Sequence, residues 1–259
     1  MRIVTWNVNS VRARLPRLLP WLEQNRPDIL CLQELKCRDH EFPVEPIEEL
    51  GYNIRVNGQK TYNGVAILSR EPAEDLVLDF PGDPDRAQRR VIAATIDRLR
   101  IINAYVVNGK EVGSDKYEYK LEWLRNLRDF VAAEIEQHAR LILTGDFNIT
   151  FDDRDVYDPE GWRDRILCSE PERKGLLGLT NLGLTDLFRQ YHQDGGHYTW
   201  FDFRTRGFQR GQGLRIDHFL ATDSVLASAT GVDIDLEARG GEKPSDHAPV
   251  LLTLRDDPN

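Results

Sequence analysis

The sequence predicts an α/β fold, and three observations lead to that class. The chain has 259 residues with 40% hydrophobic and 30% charged side chains, an ordinary globular balance with enough length to bury a sizeable core. Short β-branched apolar runs alternate with amphipathic helical patterns. No internal repeat, low-complexity block or Pro/Gly/Ser linker divides residues 1–259, so we expect a single domain with helices packed outside sheet.

The strands are predicted from short apolar runs that are rich in β-branched residues. Several runs are apolar on both faces, as expected for a sheet covered on each side, which agrees with two sheets stacked between helical layers. Periodicity gives no strand order. The predicted strands cover residues 3–8, 28–33, 64–69, 90–96, 101–106, 141–144, 215–220 and 248–254.

The helices are predicted from apolar side chains at helical spacing and from their end signals. Asp115 with Glu118 predicts a capping start for the longest helix. Pro27 ends the first helix, and Gly183 follows the third. The predicted helices cover residues 13–25, 115–138 and 173–182.

The net charge of −9 counts against a protein that coats nucleic acid, because phosphate affinity comes largely from lysine and arginine. An enzyme that gathers carboxylates around a divalent cation is made acidic by its own site, and a basic surface can be local. The position of the basic residues therefore matters more than their sum.

Cysteine content and hydropathy set the expected compartment. Cys31, Cys37 and Cys168 are too few and too scattered for a disulfide framework or a tetrahedral zinc site, so we expect reduced, packed thiols. The chain has no run of about 18 apolar residues and enters an apolar strand directly at its start. A cytoplasmic location with no membrane partner is the expectation.

Polar residues gather where the apolar runs end. Asn7 follows the first run, Glu34 the second, and Asp146 and Asn148 the run at 141–144. Strand ends meet at one edge of a sheet, where substrate sites of α/β proteins often lie. Each residue taken alone is more often a solvated turn residue or a helix cap, but independent surface residues have no reason to end several buried strands with the same chemistry.

Two further acidic residues extend this pattern. Asp217 lies inside an apolar run, where a carboxylate is costly unless a charged or donating group meets it. Asp246 and His247 directly precede the last strand. The spacing leaves open whether Asp217 or Asp246 orients His247, and either residue could reach a metal.

Six segments together resemble the exonuclease III family of apurinic/apyrimidinic endonucleases, and the similarity runs essentially end to end. Gly-Asp-Phe-Asn and Ser-Asp-His-Ala-Pro also occur in deoxyribonuclease I, inositol polyphosphate phosphatases and sphingomyelinases, whereas the other segments point to the DNA repair branch. The segments are residues 6–10 (WNVNS), 32–36 (LQELK), 145–149 (GDFNI), 199–204 (TWFDFR), 213–217 (GLRID) and 243–249 (KPSDHAP).

The resemblance implies a four-layered α/β sandwich with two central mixed β-sheets flanked by helices. It also implies cleavage of the DNA phosphodiester 5′ to abasic sites, with 3′-to-5′ exonuclease and 3′-phosphodiesterase activity. The partner would be double-stranded DNA with abasic or damaged sites, and a monomer would suffice. Such hydrolysis requires an activated water, charge stabilisation on the phosphoryl oxygens and help for the leaving alkoxide.

The resemblance also implies roles for the strand-end residues. Glu34 would be the main ligand of Mg²⁺, with Mn²⁺ as a substitute, and hard oxygen donors suit both ions. Asp146 would activate the attacking water and Asn148 would orient it, while His247 would donate to a phosphoryl oxygen. The implied metal group as a whole is Asn7, Glu34, Asp146, Asn148, Asp246 and His247, with Asn9 beside it.

Tyr105 matches the family tyrosine near the scissile phosphate, and Asn108 follows as a phosphate donor. The family usually has proline shortly after this tyrosine, whereas Val106 and Val107 stand here, which puts the position of Asn108 in doubt. Leu35 follows Glu34 where threonine is common. Neither departure changes a predicted ligand.

Substrate selection is assigned to the segment from 199 to 215. An enzyme that extrudes a baseless sugar needs a small apolar pocket, and Trp200, Phe201 and Leu214 are the candidates for its wall. The glycine-rich loop between them is basic and aromatic, which is typical of a loop that grips a DNA backbone, although a solvated loop has a similar composition. Its arginines are Arg204, Arg206 and Arg210, with Arg215 just beyond.

Two other functions share part of this pattern. A phosphatase or phosphodiesterase of a small phosphorylated molecule or lipid would use the same core chemistry, but the cationic aromatic loop argues against it. A non-catalytic DNA-binding module should have lost one of Glu34, Asp146, Asn148 or His247, and all four are present. The metal count, uridine or other damage specificity, and the oligomeric state are not readable from the sequence.

Overall fold

Two six-stranded mixed β-sheets lie face to face in the computed structural model, which describes residues 1–85 and 87–255. One sheet has the strand order β11-β12-β1-β2-β4-β3 and the other β5-β6-β7-β8-β10-β9. The strands are β1 Arg2–Asn7, β2 Ile29–Gln33, β3 Asn53–Asn57, β4 Val65–Ser69, β5 Glu74–Leu78, β6 Val91–Ile96, β7 Leu99–Tyr105, β8 Leu141–Asp146, β9 Thr185–Asp186, β10 Asp217–Ala221, β11 Ala229–Ile234 and β12 Val250–Leu254.

Helices cover the outer faces of both sheets. The helices are α1 Val11–Asn25, α2 Val44–Glu48, α3 Asp115–Gln137, α4 Pro159–Trp162, α5 Glu170–Thr180, α6 Phe188–Tyr191, α7 Gly207–Arg210, α8 Asp223–Leu226 and α9 Leu236–Arg239, with 3-10 turns at Asp39–Glu41 and Asp153–Asp155. Side chains of α1, α2 and α9 pack on the first sheet, and those of α3 and α5 pack on the second. The four-layered α/β sandwich is therefore confirmed.

The main core lies between the two sheets. Its side chains include Ile3, Cys31, Ile67, Ile101 and Ile142, all fully buried. This layer removes a large apolar area from water, which is the dominant favourable term in folding. The three cysteines are buried and unbridged, as expected.

A polar bridge crosses the inter-sheet core near the strand ends. Gln33 Nε2 donates to Thr5 Oγ1 at 2.9 Å and to Asn103 Oδ1 at 2.8 Å, and Asn103 Nδ2 donates to the carbonyls of Leu32 and Ala66. Because buried amides are costly without partners, these bonds favour one alignment of the two sheets. Gln33, a polar strand-end residue in the sequence, therefore serves the sheet interface.

The eight predicted strands are all present, with bounds that shift by one or two residues. The four strands that the sequence did not predict are β3, β5, β9 and β11, and each lies at an edge of its sheet. Edge strands are half exposed and carry polar residues, so they lack a long apolar run. β5, with four of its five residues exposed, is the clearest case.

The predicted helix ends shift by up to three residues: α1 begins two residues earlier, at Val11, and α5 ends two residues earlier, at Thr180. The cap of α3 is Ser114 and not Asp115, because Ser114 Oγ accepts from the Tyr117 backbone N–H at 3.2 Å. Helix α5 begins at Glu170, three residues earlier than predicted, because Ser169 and Glu172 form a capping box. Among residues 1–85 and 87–255, no helix combines the length and apolar character that a membrane crossing requires.

Candidate active site

The strand connections bring the predicted site residues to one end of the sandwich. β1 runs parallel to β2, and β7 runs parallel to β8. Asn7, Tyr105 and Asp146 are the last residues of their strands, and Glu34 directly follows β2. β10 is antiparallel to β8 and begins with Asp217 in register with Asp146. The last strand is antiparallel to β1, so the segment before it returns to the same end.

β8 must approach β7 closely before it delivers its carboxylate. Gly145 has φ +136°, and a Cβ there would lie 1.9 Å from the carbonyl oxygen of Ala104. Only glycine fits this approach without moving the backbone. The glycine that precedes Asp146 in the sequence motif is therefore required for steric reasons.

His247 lies between two buried carboxylates. Its Nδ1 is 2.9 Å from Asp217 Oδ2, and its Nε2 is 3.6 Å from Asp146 Oδ2. Burial alone would lower the pKa of His247, but the carboxylates of Asp217 and Asp146 raise it to about 10. The imidazole is therefore positively charged at neutral pH, and it donates from Nδ1 to Asp217 while its Nε2–H faces Asp146.

Asp146 is the centre of the cluster and is almost completely buried. Burial raises its pKa to about 7, with the His247 charge opposing this shift and Asp217 adding to it. Asn7 Nδ2 donates to Asp146 Oδ2 at 2.8 Å, and the Asn148 backbone N–H donates to Oδ1 at 2.9 Å. Both oxygens are held in fixed directions.

Glu34 lies beside Asp146 at the open side of the site. Asn7 Nδ2 bridges the two carboxylates, since it also donates to Glu34 Oε1 at 2.8 Å. Lys36 Nζ lies 3.0 Å from Glu34 Oε2. Glu34 has φ 53°, a left-handed conformation that is uncommon for a non-glycine residue and is found at functional sites.

The orientation of Asn7 differs from the ligand role predicted for it. Its amide nitrogen faces Glu34 and Asp146, and its Oδ1 accepts from the Asn9 backbone N–H at 2.9 Å. In this arrangement the Asn7 amide nitrogen supports the two carboxylates, and its Oδ1 faces the Asn9 backbone. Asn9 turns the other way, with its Nδ2 donating to Asp246 Oδ1 at 2.8 Å.

Asn148 also uses its side chain within the protein. It has φ 51°, its Nδ2 donates to the carbonyl of Val106 at 3.0 Å, and its Oδ1 accepts from Asn108 Nδ2 at 3.0 Å. Asn108 therefore reaches the site although no proline follows Tyr105. The pair lies at the rim next to Asp146.

Tyr105 ends β7 and faces the same carboxylates. Burial raises the pKa of Tyr105 well above its ordinary value, and the charges of Glu34 and Asp146 add to that shift. The guanidinium of Arg90 lies 4.9 Å from the centre of its ring. The phenol therefore stays protonated and can act as a hydrogen-bond donor.

Asp246 does not orient the imidazole of His247. Its Oδ1 accepts from Asn9 and its Oδ2 accepts from Trp200 Nε1 at 3.0 Å. Burial would raise the pKa of Asp246, but the His247 charge and these two hydrogen bonds lower it. The alternative that the sequence left open is resolved in favour of Asp217.

The three predicted pocket residues differ in what they can contact. Trp200 is partly exposed and pairs through its backbone with Leu214 and with His247. Leu214 is fully buried in a cluster with Val156 and Ile216, and Phe201 is 4% exposed. Trp200 is thus the member of this trio that presents a surface next to the site.

The four arginines between residues 204 and 215 separate into two groups. Arg204, Arg206 and Arg210 are exposed, and Arg204 has a weak ion pair with Asp202 at 3.4 Å. Arg215 is fully buried and forms ion pairs with Asp155 and Asp186, both at 2.7 Å. The expectation that Arg215 belongs to the exposed basic surface is wrong, because Arg215 is buried and two carboxylates neutralise its charge.

Lys120 is a site neighbour that the sequence did not single out. It lies on α3, is fully buried, and donates to the backbone carbonyls of Asn108 and Asn148. A signal was present, because Lys120 stands on the apolar stripe of α3 between Tyr117 and Leu124. A lysine in such a position needs a buried partner.

One group of side chains in the described part of the chain could hold a cation. A ligand atom from each of Glu34, Asp146 and His247 lies within 4.8 Å of the others. The two carboxylates suit a hard divalent ion, whereas a protonated imidazole has no lone pair to offer. The donor set therefore fits a cation held mainly by oxygen.

This geometry is accompanied by similarity to known proteins. A model of the Endonuclease/Exonuclease/phosphatase family matches residues 4–247, and the chain belongs to this family. Exodeoxyribonuclease III from Haemophilus influenzae is 34% identical over 98% of this chain and 100% of its own. The resemblance to exonuclease III is therefore confirmed, and with it the assignment as a phosphodiester hydrolase.

Solved structures agree with the fold over the whole length. The 3′-5′ exonuclease NExo from Neisseria meningitidis is 49% identical, with a TM-score of 0.96 over 98% of this chain and 99% of that chain. NExo from Neisseria, there described as a 3′ phosphatase, is also solved with a product DNA hairpin, at 48% identity and a TM-score of 0.97 over 99% and 100% of the two chains. An AP endonuclease from Archaeoglobus fulgidus is 35% identical, with a TM-score of 0.95 over 99% and 100%.

Proposed function

We propose that this chain is a divalent-metal-dependent DNA repair nuclease that cleaves the phosphodiester 5′ to abasic sites and also removes nucleotides and blocking groups from 3′ ends. The observation that carries the proposal is the line Asp217–His247–Asp146, buried beside Glu34. It places a positively charged donor and a carboxylate with a pKa near neutrality within 3.6 Å of each other. Phosphodiester hydrolysis requires this pair of functions.

Asp146 is the residue that accepts the proton of the attacking water. A general base works best when its pKa lies near the operating pH, and burial brings Asp146 to about 7. The Asn148 backbone N–H and Asn7 Nδ2 each hold one of its oxygens, so the carboxylate keeps a fixed direction toward the water. Tyr105, protonated at neutral pH, donates a hydrogen bond to Glu34 next to Asp146.

His247 stabilises the charge that develops on the phosphoryl oxygens. Asp217 holds its Nδ1, so its Nε2–H points into the site, where Asp146 Oδ2 lies 3.6 Å away. A fixed donor in a buried site stabilises a developing charge more than water does, because no reorganisation is needed during the reaction.

Glu34 and Asp146 are the residues that would hold Mg²⁺, with Mn²⁺ as a substitute, and Asn7 would keep their oxygens in place. Bound there, the ion would polarise a phosphoryl oxygen as a Lewis acid. Glu34 is partly exposed whereas Asp146 is buried, so an ion can reach Glu34 from the open side of the site.

DNA is the substrate that best fits the surroundings of the site. Arg204, Arg206 and Arg210 form an exposed basic loop in a chain with a net charge of −9. Trp200, partly exposed beside His247, supplies an apolar surface against which a baseless sugar can pack. The site draws all its residues from one chain, so we propose that a monomer is active.

A single gel assay tests the proposal. The substrates are an abasic duplex, an intact duplex with a recessed 3′ end, a duplex with a 3′ phosphate and a uracil-containing duplex, each with Mg²⁺ or EDTA. We expect cleavage at the abasic site and processing of the 3′ ends with Mg²⁺, and none with EDTA. An abasic duplex left uncut with Mg²⁺, or faster phosphate release from inositol phosphates in a parallel assay, would overturn the assignment.

A further inference from the structure

The buried pair Lys120–Glu172 lies directly beneath the active site and is used by none of the steps above. Both side chains are completely buried, and Lys120 Nζ lies 2.5 Å from Glu172 Oε1. Removing two charges from water is costly, and a hydrophobic pair of the same size is often as stable. Stability alone therefore explains this pair poorly.

The ammonium of Lys120 reaches two loops that carry active-site residues. It donates to the backbone carbonyl of Asn148 at 2.8 Å and to that of Asn108 at 3.1 Å. With the bond to Glu172, all three N–H donors of the ammonium are satisfied. The same two asparagines meet again through their side chains, where Asn108 Nδ2 donates to Asn148 Oδ1 at 3.0 Å.

The loop that contains Asn108 and Gly109 packs closely against the side chain of Lys120. Gly109 has φ +86°, and a Cβ there would lie 3.0 Å from Lys120 Cδ and 3.0 Å from Ile166 Cδ1. The loop therefore rests against the aliphatic stem of Lys120 while its carbonyl accepts from the ammonium.

Glu172 fixes the ammonium from the other side. Its Oε1 also accepts from the Leu167 backbone N–H at 3.0 Å, and its Oε2 accepts from Ser169 Oγ at 2.6 Å and from the Ser169 backbone N–H at 3.2 Å. Four hydrogen bonds thus anchor this carboxylate at the start of α5. Lys120, Asn108 and Asn148 are held relative to a rigid helix end.

We infer that Lys120, with Glu172 as its counter-ion, is a positioning residue that sets the placement of Asn108 and Asn148 for catalysis. The inference rests on the proposed hydrolase function, in which Asn148 fixes the carboxylate that activates water. Asp146 Oδ1 accepts from the Asn148 backbone N–H, so it is held only if that loop is held. Lys120 holds the loop by its hydrogen bonds to the backbone carbonyls of Asn108 and Asn148.

The test is a double variant, Lys120→Met with Glu172→Gln, which removes both charges while glutamine keeps an acceptor for the α5 start. The matched control is Arg100→Met with Glu134→Gln, because this pair also joins α3 to its surroundings through a 2.5 Å bond with little exposure. Arg100 lies five residues before Tyr105 on β7, about 16 Å from the site end.

We expect kcat on 3′-recessed duplex to fall by about tenfold to a hundredfold in the Lys120/Glu172 variant, with KM changed less than about threefold. The Arg100/Glu134 control should keep the parental kcat even if its melting temperature falls as much as that of the Lys120/Glu172 variant. Equal kcat loss in both, or a folded Lys120/Glu172 variant within twofold of the parent, would overturn the inference.

Two further measurements keep the test decisive. If the double variant fails to fold, Lys120→Met alone is the second variant, since Glu172 keeps its three other hydrogen bonds, and it should lower kcat without the matching loss in Arg100→Met. Side-chain amide NMR signals of Asn108 and Asn148 should move in the test variant and stay in the control. These signals report on the positioning even if the parent cuts no DNA, which would count against the proposed function alone.

Discussion

Asp217 Oδ2 lies 2.9 Å from His247 Nδ1, and the two residues are joined across the junction of the two sheets. Asp217 begins β10 of one sheet, whereas His247 precedes β12 of the other. The contact therefore exists only when the sheets are correctly stacked, so the charge state of the histidine depends on the tertiary fold.

Replacing Asp217 by asparagine should lower the pKa of His247, because the nearest anion that favours the imidazolium is removed. NMR titration of the His247 ring should show protonation through neutral pH in the parent and a clearly lower pKa in Asp217→Asn. We expect kcat to fall about a hundredfold or more, as for loss of a positioned acid. Asp246→Asn is the control, since both Asp246 oxygens bond elsewhere, and an equal fall there would contradict the assignment.

Glu34→Gln should weaken the response to Mg²⁺ while leaving the fold intact, because glutamine can still accept from Asn7. A hydrolase that loses a Lewis-acid ligand loses several kcal/mol of charge stabilisation, so kcat/KM should fall about a hundredfold or more. Calorimetric Mg²⁺ titration should show weaker binding. Glu23→Gln, on the exposed face of α1, should behave as the parent, and a Glu34→Gln variant with parental Mg²⁺ binding would exclude Glu34 as a ligand.

The buried pair Asp155–Arg215 should make stability depend on acid pH. Burial would raise the pKa of Asp155, but the bonds from Arg215 lower it below its ordinary value. A group whose pKa is lower in the folded state adds stability above its unfolded pKa, about 3.9, and loses it as pH falls through the folded pKa.

Asp155→Asn should therefore cost about 3–5 kcal/mol in the free energy of unfolding at pH 7, because it takes the carboxylate from Arg189 and leaves the buried Arg215 with Asp186 alone. The difference in melting temperature from the parent should narrow below about pH 4, where the parent loses the same contribution. Asp153→Asn, on the exposed side of the same turn, should lose little at any pH. A constant difference down to pH 2 would contradict the linkage.

Arg204, Arg206 and Arg210 should each contribute to binding of DNA through its backbone. Replacing one by alanine should raise KM at fixed salt and reduce the slope of log affinity against log salt by about 1 if it neutralises a phosphate. Arg125→Ala on α3 removes the same exposed charge elsewhere and serves as the control. Unchanged salt slopes in all three loop variants would show that the loop is solvated and does not contact the DNA backbone.

The central strands and the long helices were predictable from the sequence, because buried elements carry apolar residues at the period of a strand or a helix. The eight predicted strands are the inner ones, and β3, β5, β9 and β11 were missed because edge strands bury one face at most. The start of α3 at Asp115 was predicted correctly, but its cap was misplaced by one residue, because the first turn is acidic and the capping hydroxyl of Ser114 lies just before it.

The chemistry of the site was also predictable, since Asn7, Glu34, Asp146 and Asn148 end buried strands and any fold that aligns those ends brings them together. The orientations of these side chains were not predictable. Asn7 presents its amide nitrogen, and Asn108 meets Asn148 without the expected proline, because each orientation follows from neighbours on other strands.

The Asp217–His247 contact shows the division most clearly. By itself the sequence determined that a carboxylate inside an apolar strand needs a donor, and that an Asp-His pair precedes the last strand. Only the tertiary structure decided that the donor is His247, that Asp246 bonds Asn9 and Trp200, and that Lys120 lies beneath the site. These choices depend on distances between strands that are far apart in the chain, and stacking of the two sheets sets those distances.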